Sequence, residues 1–401
     1  MANPLRVGLG PGVGMKASAE ERIRVAVVIP KYGLVGGGEL FAFELTERLA
    51  ADSRYDIHVL ASQWQAGSER ITFHKIPVFS FPKWLTTISF AWFVQRELKR
   101  LRPDIVHAHD RVFRADVATV HSIPHRTWVK EIRRKKIPSL FDLATSWVER
   151  KMFEKGGCRK VMPVSTLAAE KLCEVYPWLR SKVEVIAPGV DLARFGQEKP
   201  EWRAAIRQEF GIGNDDFLVL FVGMNFELKG LESLMRAVAL AQHRLPGRRF
   251  SLLVVGRGDA AKFQGLAHEL GIGARVFFAG VRRDMERVYQ AGDVFCLLSQ
   301  FDTFGMVVGE ALAAGLPVVV SERVGAKDLV HCDANGYVVA GVNVDEIASA
   351  LVRLADRDML APMRGAAVWS VAGQDWHGRA MRVGSIYTAL APGTPPDAPL
   401  A

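Results

Sequence analysis

The stretch from Ser299 to Val320, SQFDTFGMVVGEALAAGLPVVV, constrains the fold more than any other part of the chain. Its middle, Met306 to Ala314, has the spacing of a helix with one apolar side, and Gly305 before it allows the backbone to approach a ligand closely. Gly315 suits a helix end. Leu316 to Val320 is apolar without alternation, which is typical of a parallel strand buried on both faces. A helix followed by such a strand predicts an α/β domain. Because the start of a helix carries unpaired N–H groups, the stretch also predicts a phosphate site.

Two carboxylates accompany this helix start. Asp302 and Glu310 lie eight positions apart, so both face a ligand if the turn folds back on the helix. Carboxylates repel a diphosphate, and they are better suited to bind hydroxyl groups of a sugar or a ribose. The alternative is structural, since any doubly wound protein needs a helix followed by a buried strand.

The whole chain repeats this alternation of strand and helix, which predicts two doubly wound α/β domains facing each other across a cleft. Ile23 to Pro30 reads as a strand that leads through a glycine turn into a helix, and Phe217 to Val222 reads as a strand that leads into the loop of Lys229. A length of 401 residues also favours two domains. The predicted division is a disordered extension (1–22), an N-terminal domain (23–195), a linker (196–216), a C-terminal domain (217–370), a helix returning to the N-terminal domain (371–390) and a disordered tail (391–401).

Three histidines stand at predicted strand ends. His107 and His109 flank the end of one strand, and His121 ends the next. Histidine can hydrogen-bond a phosphate or a sugar hydroxyl in either protonation state. Zinc binding is the alternative, although the His-x-His spacing is not helical and few acids lie nearby. The four cysteines show no zinc spacing and are interpreted as reduced thiols.

A basic, aromatic segment spans residues 124–160, with eleven lysines and arginines against four acids in a chain of net charge +9. Such a segment suits an anionic membrane surface. A solvated helical hairpin and a single-stranded nucleic-acid site are the alternatives, of which nucleic acid is the less favoured. The residues assigned to a membrane or acceptor surface are Arg126, Trp128, Lys130, Arg133, Arg134, Lys135 and Lys136. No apolar run approaches the roughly 20 residues of a membrane-spanning helix.

Taken together, the carboxylate stretch, the GGGE turn, Lys229 and the NGYVV segment make the chain similar to retaining GT-B glycosyltransferases of the family 4-like group. The NFELKG loop, the RVFFAGVRRDMERVYQAGD run and the basic segment resemble most the lipopolysaccharide core glucosyltransferases. The sequence departs from the family pattern at two places. Asp302 stands where the family has glutamate, and a basic partner of Lys229 is missing at Leu228 or, in the other common arrangement, at Met224.

This resemblance implies that a hexose is transferred from a nucleotide diphosphate sugar, with UDP-glucose favoured, to a glycan or lipid-linked acceptor with retention of configuration. It implies no metal and no cofactor, and a cytoplasmic enzyme peripheral to the inner membrane that serves lipopolysaccharide core or other envelope glycan synthesis. Carried over residue by residue, the catalytic group is His121, Lys229 and Asp302. The donor-binding group is Gly37, Gly38, Glu39, Asn225, Gly256, Val281, Arg282, Thr303, Phe304, Gly305, Met306 and Glu310.

Two other classes of protein stay open from the residues. A nucleotide-sugar epimerase can share the architecture, but it needs acid and base groups at both sugar faces and no acceptor surface. A non-catalytic protein that binds a nucleotide sugar or nucleic acid would tolerate the two departures from the pattern. Release of nucleotide diphosphate only in the presence of acceptor would exclude both.

Overall fold

The structure is a computed structural model that describes residues 22–34, 36–65, 68–341 and 343–391. The predicted extension and tail, apart from Arg22 and Ala391, lie outside these residues.

The first domain is built on a parallel sheet with the strand order β5-β3-β1-β6-β7-β8, and β2 pairs with β4 beside it. Its strands are β1 (Ile23–Val28), β2 (Lys31–Tyr32), β3 (Tyr55–Ala61), β4 (Gln63–Trp64), β5 (Ile71–Lys75), β6 (Ile105–Ala108), β7 (Val117–Val120) and β8 (Lys160–Pro163). Its helices are α1 (Gly37–Ala50), α2 (Leu85–Leu101), α3 (His125–Thr127), α4 (Leu140–Lys155) and α5 (Thr166–Val175). A π-helical turn at Trp128–Ile132 and a 3₁₀ turn at Pro177–Lys182 complete it.

The second domain repeats the plan with the strand order β11-β10-β9-β12-β13-β14, again parallel. Two helices, α6 (Leu192–Phe195) and α7 (Pro200–Glu209), lead into it. Its strands are β9 (Phe217–Gly223), β10 (Phe250–Gly256), β11 (Val276–Gly280), β12 (Val294–Leu297), β13 (Val318–Ser321) and β14 (Gly336–Val339). Its helices are α8 (Leu231–Arg244), α9 (Ala260–Glu269), α10 (Met285–Ala291), α11 (Met306–Ala313), α12 (Val344–Leu354) and α13 (Arg357–Ser370), with 3₁₀ turns at Gly273–Arg275 and Gly325–Leu329. The last helix, α14 (Trp376–Leu390), returns to the first domain.

The central strands are apolar because both of their faces are covered. In β1, Val25 and Val27 belong to one buried cluster, whereas Ala26 and Val28 belong to the cluster on the opposite face. β9 divides its side chains between two clusters in the same way. The predicted fold class, two doubly wound α/β domains facing across a cleft, is therefore confirmed.

The chain crosses between the domains twice, and the two crossings lie side by side. The backbone N–H of Val190 donates to the carbonyl of Gln374 at 2.7 Å. Gly189 is needed beside this bond, since a Cβ there would lie 2.6 Å from the ring of Trp376. Beyond the second crossing, α14 packs against α1, and the hydroxyl of Tyr55 donates to the carbonyl of Gly384 at 2.9 Å.

Candidate active site in the interdomain cleft

A cavity of about 680 Å³ lies between the two domains, at the carboxyl ends of both sheets. The glycine turn before α1 and His121 form its N-terminal wall. Most of the predicted donor-binding residues line it, namely Gly37, Gly38, Gly256, Val281, Arg282, Thr303, Phe304, Gly305 and Met306. Lys229 and Asp302 line it as well. Loops that follow strands in both domains therefore meet at one site, as expected for parallel sheets.

Lys229 and Asp302 form an ion pair inside this cavity. They follow β9 and β12, which are neighbours in the sheet, so the two loops emerge side by side. The carbonyl of Asn225 accepts a hydrogen bond from the N–H of Lys229 at 3.0 Å, and its side chain accepts one from the N–H of Leu228 at 2.9 Å. Asn225 thus shapes the loop and lies outside the cavity lining, whereas it was predicted to bind the donor.

The start of α11 points into the cavity. Gly305 precedes it with φ +88°, and a Cβ there would lie 2.9 Å from Leu297, so glycine is required for this turn. The first N–H groups of a helix lack partners within it, which makes this end suitable for an anion. Thr303 holds the turn against the other domain, because its carbonyl accepts a hydrogen bond from the hydroxyl of Ser165 at 2.7 Å.

Glu310 sits in a different environment from Asp302. Its carboxylate accepts a hydrogen bond from the hydroxyl of Tyr289 at 2.8 Å. Burial raises the pKa of Glu310, opposed by that hydrogen bond and by the charge of Arg194. Glu310 lies outside the cavity lining, so the two carboxylates that were expected on one ligand-facing side are separated.

Three histidines form a cluster in the first domain, and among them only His121 lines the interdomain cavity. His121 Nε2 lies 3.0 Å from His109 Nδ1, while His107 contacts the hydroxyl oxygens of Tyr387 at 2.5 Å and Thr119 at 2.7 Å. Burial lowers the pKa of His107 to about 3 and the pKa of His121 to about 4, so both rings are neutral near pH 7. Among the described residues, no group of three or more His, Cys, Asp or Glu side chains is arranged to hold a metal ion.

A second cavity of about 370 Å³ lies within the N-terminal domain and shares Gly38 and His121 with the first. Glu39, predicted to bind the donor, lines this second cavity and not the first. Arg111 also lines it, donating to Glu149 at 2.9 Å and to the hydroxyl of Ser122 at 3.2 Å. Sequence analysis missed Arg111. Its position two residues after His109, at a strand end, was the available signal.

The basic segment is only partly a free surface. Lys135 and Arg133 pair with the buried Asp142, at 3.2 Å and 3.4 Å. Burial alone would raise the pKa of Asp142, but hydrogen bonds from Ser139 and Lys135 hold it below its usual range. Trp128, which was assigned to a membrane or acceptor surface, is half-buried, and its ring meets Phe301 of the other domain with centroids 6.1 Å apart. It therefore lies at the domain interface.

The outer surface is instead extended by α2 and the loop before it. α2 packs beside α4, and the hydroxyl oxygens of Thr87 and Thr145 lie 3.2 Å apart. Large apolar side chains are exposed on both sides of this contact, namely Phe79, Phe81, Trp84, Trp92, Ile137, Leu140, Leu143 and Trp147. Arg126, Lys130, Arg134 and Lys136 are exposed in the basic segment itself. Within the described ranges, every helix is too short or too polar to cross a membrane.

Comparisons with known proteins agree with this architecture. The model of Glycosyltransferase Family 4 matches residues 35–194, and the model of Glycosyl transferases group 1 matches residues 203–365. The chain is 36% identical over 230 residues to a D-inositol 3-phosphate glycosyltransferase of Nocardia farcinica, a match that covers 55% of this chain and 50% of that protein. The chain thus spans about half the length of this relative.

Solved structures show the same fold over nearly the whole chain. WaaG, a glycosyltransferase involved in lipopolysaccharide biosynthesis, superposes with a TM-score of 0.75 at 22% identity, covering 91% of this chain and 99% of that one. Anabaena HepE in complex with UDP and glucose superposes with a TM-score of 0.69 at 18% identity, covering 92% and 100%.

Two facing α/β domains with a charged cleft between them define a protein of the GT-B glycosyltransferase class. Within that class, the first half of the chain matches Glycosyltransferase Family 4 and the second half matches Glycosyl transferases group 1, so each half is a glycosyltransferase domain.

Proposed function

We propose that the protein is a retaining glycosyltransferase that moves a hexose from a nucleotide diphosphate sugar, with UDP-glucose favoured, to a hydroxyl group of a glycan or lipid-linked acceptor. The observation that carries the proposal is the cavity in which Lys229, Asp302 and the start of α11 converge. A lysine and a helix start suit a diphosphate, and a carboxylate beside them suits sugar hydroxyls. The complex of HepE with UDP and glucose supports this choice of donor.

In the proposed reaction, the bond from the anomeric carbon to the diphosphate oxygen breaks as a bond to the acceptor oxygen forms on the same face. Because the acceptor attacks from the face that the phosphate leaves, configuration is retained without a protein nucleophile, and the departing phosphate takes the acceptor proton. Lys229 and the N–H groups of Gly305 and Met306 stabilise the charge that develops on the leaving group. Since these groups supply the stabilisation, neither a metal nor a cofactor is needed, and we expect activity to persist in EDTA.

The remaining site residues take supporting roles in this proposal. Asp302 binds hydroxyls of the donor sugar, and Glu310 is assigned to the ribose, a role that requires its carboxylate to reach the cavity from behind the lining. The neutral His121 lies between the two cavities and hydrogen-bonds the sugar or phosphate near the reacting carbon. The acceptor enters through the second cavity, where Lys31 and Arg111 are close to His121.

A thermal-shift panel with UDP, UDP-glucose, UDP-N-acetylglucosamine, GDP-mannose and ADP-heptose tests the donor. A ligand at 100 times its dissociation constant stabilises the folded protein by about 2.7 kcal/mol. We expect a selective shift with one sugar nucleotide and, with that donor, release of nucleotide diphosphate only when acceptor is added. Interconversion of the donor without acceptor would favour an epimerase, and binding without turnover would favour a non-catalytic protein.

We also propose that the exposed apolar side chains and basic residues of α2, α4 and the loops beside them dock on the anionic cytoplasmic face of the inner membrane. Their combination of exposed rings and positive charge supports this role, in accord with a lipid-linked acceptor in envelope glycan synthesis.

Vesicle binding tests this docking. Replacing Arg134 and Lys136 together by glutamate should weaken binding to phosphatidylglycerol vesicles by about 30-fold or more, at about 1 kcal/mol for each basic residue lost. The control replaces Lys99 and Arg100, which are exposed at the far end of α2, by glutamate. Equal loss in both double variants would show that only net charge matters and would contradict the docking surface.

A further inference from the structure

The cations of the interdomain cavity differ in whether they already have a partner. Lys229 pairs with Asp302, and Arg282 pairs with both Glu209 and Asp284. Arg257 also lines the cavity, and its guanidinium has no hydrogen bond or carboxylate partner among the described residues. It is therefore a positive charge in the site that no group of the described residues neutralises.

The backbone of Arg257 is held firmly although its side chain is free. Its N–H donates to the carbonyl of Gly223 at 3.1 Å, at the end of the pairing between β10 and β9. Gly256 has φ +124°, and a Cβ there would lie 1.8 Å from the oxygen of Gly223, so only glycine permits this approach. The backbone of Arg257 is thus fixed beside the last residue of β9, after which the loop that carries Lys229 begins.

The loop itself provides no second cation toward the cavity. Met224 lines the cavity and is 51% exposed, whereas Leu228 lies outside the lining. A nucleotide diphosphate carries at least two negative charges, and Lys229 alone, already shared with Asp302, matches them poorly. Arg257, at the end of the neighbouring strand β10, supplies the positive charge that Met224 does not.

We propose that Arg257 binds the diphosphate of the donor nucleotide opposite Lys229 and takes the place of the basic residue that the Lys229 loop lacks. Its planar guanidinium can donate two parallel hydrogen bonds to phosphate oxygens, which a lysine cannot do. This assignment rests on the proposed function and adds to it the group that holds the leaving diphosphate.

Calorimetric titration of the full chain with UDP, UMP and uridine tests the assignment. Arg257→Ala should weaken UDP binding by about 10- to 100-fold, the range for charge-assisted hydrogen bonds, and leave uridine binding unchanged. The UDP affinity of Arg257→Lys should lie between those of the wild type and Arg257→Ala. The matched control is Arg236→Ala, since Arg236 lies on the outer side of α8 and pairs only with the exposed Glu232.

A second variant separates charge from packing. Adding Met224→Arg to Arg257→Ala should restore UDP affinity to within a few-fold of wild type, and failure to restore it would overturn the claim that charge is what Arg257 contributes. A UDP loss no larger than that of Arg236→Ala, or an equal loss for uridine, would overturn the assignment. If the wild-type chain bound none of UDP, GDP and ADP, both the proposed function and the assignment of Arg257 would be wrong. This outcome can be told apart from a failure of the assignment alone, because it is seen with the wild-type chain.

Discussion

The two walls of the cleft are built from the same kind of sheet edge, yet they differ in charge. The N-terminal wall presents glycines and the neutral, half-buried His121. The C-terminal wall presents Lys229, Arg257 and Asp302 together with the start of α11. In the proposed function this difference assigns the diphosphate to the C-terminal wall and a contact with the donor sugar to the N-terminal wall.

Among the substitutions considered, removal of the Lys229 side chain should have the largest effect on the reaction rate. Lys229→Ala takes a preorganised charge from the C-terminal wall, and we expect the rate of diphosphate release to fall by about 10²- to 10³-fold. Steady-state kinetics with donor and acceptor measure it. Lys262→Ala is the control because Lys262 pairs with Glu227 on the surface. A decrease of the same size in both variants would contradict the role of Lys229 in stabilising the leaving diphosphate.

The two carboxylates should separate sugar binding from nucleotide binding. Asp302→Ala should lower the transfer rate by about 100-fold, as for loss of a charged hydrogen-bonding partner, while UDP still binds because Lys229 is released. Glu310→Ala should weaken UDP itself by about 10-fold. Titration with UDP and UDP-glucose distinguishes the two. Unchanged UDP affinity in the Glu310 variant would show that the ribose is bound elsewhere.

The neutral state of His107 and His121 in the folded protein should make its stability depend on pH. An unfolded histidine titrates near pH 6.5, whereas burial lowers the pKa of His107 to about 3 and that of His121 to about 4. Below pH 6.5 the unfolded state therefore binds protons that the folded state does not. The free energy of unfolding should decrease as the pH falls from 6.5 toward 4, by up to about 1.4 kcal/mol per pH unit for each histidine.

Denaturant unfolding between pH 5 and 7 measures this slope. His121→Gln should reduce the slope by about one proton, while His243→Gln, at an exposed position, should leave it as it is. Equal slopes in wild type and His121→Gln would contradict the neutral wall.

The smallest effect should come from Arg282. Its side chain is engaged by Glu209 and Asp284 near the surface, and such pairs contribute about 0–1 kcal/mol. Arg282→Ala should therefore change the free energy of unfolding by less than about 1 kcal/mol and UDP affinity by less than about threefold. A loss as large as that expected for Arg257→Ala would mean that the ion pairs open when nucleotide binds.

Much of this arrangement could be predicted from the sequence, because local patterns determine it. The apolar runs of β1 and β9 predicted buried parallel strands, and Gly305 predicted the start of α11. Lys229 and Asp302 were expected at strand ends, and such ends meet in a parallel sheet.

The rest depends on contacts that no local pattern encodes. Tyr289 and Glu310 lie on different helices and share a hydrogen bond, and Glu310 lies outside the cavity lining. Trp128 lies in a segment with the composition of a membrane surface, yet its ring contacts Phe301 of the other domain. The hydrogen bonds between Asp142 and Ser139 were foreseeable, since a serine three residues before an acid at a helix start forms a capping box.

The paired crossings at Val190 and Gln374 have a mechanical consequence. Two covalent connections that lie next to each other, joined by a hydrogen bond of 2.7 Å, are expected to act as a single hinge between the two domains. A hinge of this kind permits the cleft to open and close and resists sliding or twisting of one domain past the other. The carboxyl edges of the two sheets should therefore separate and return along one arc, which brings the same residues back into register at every closure.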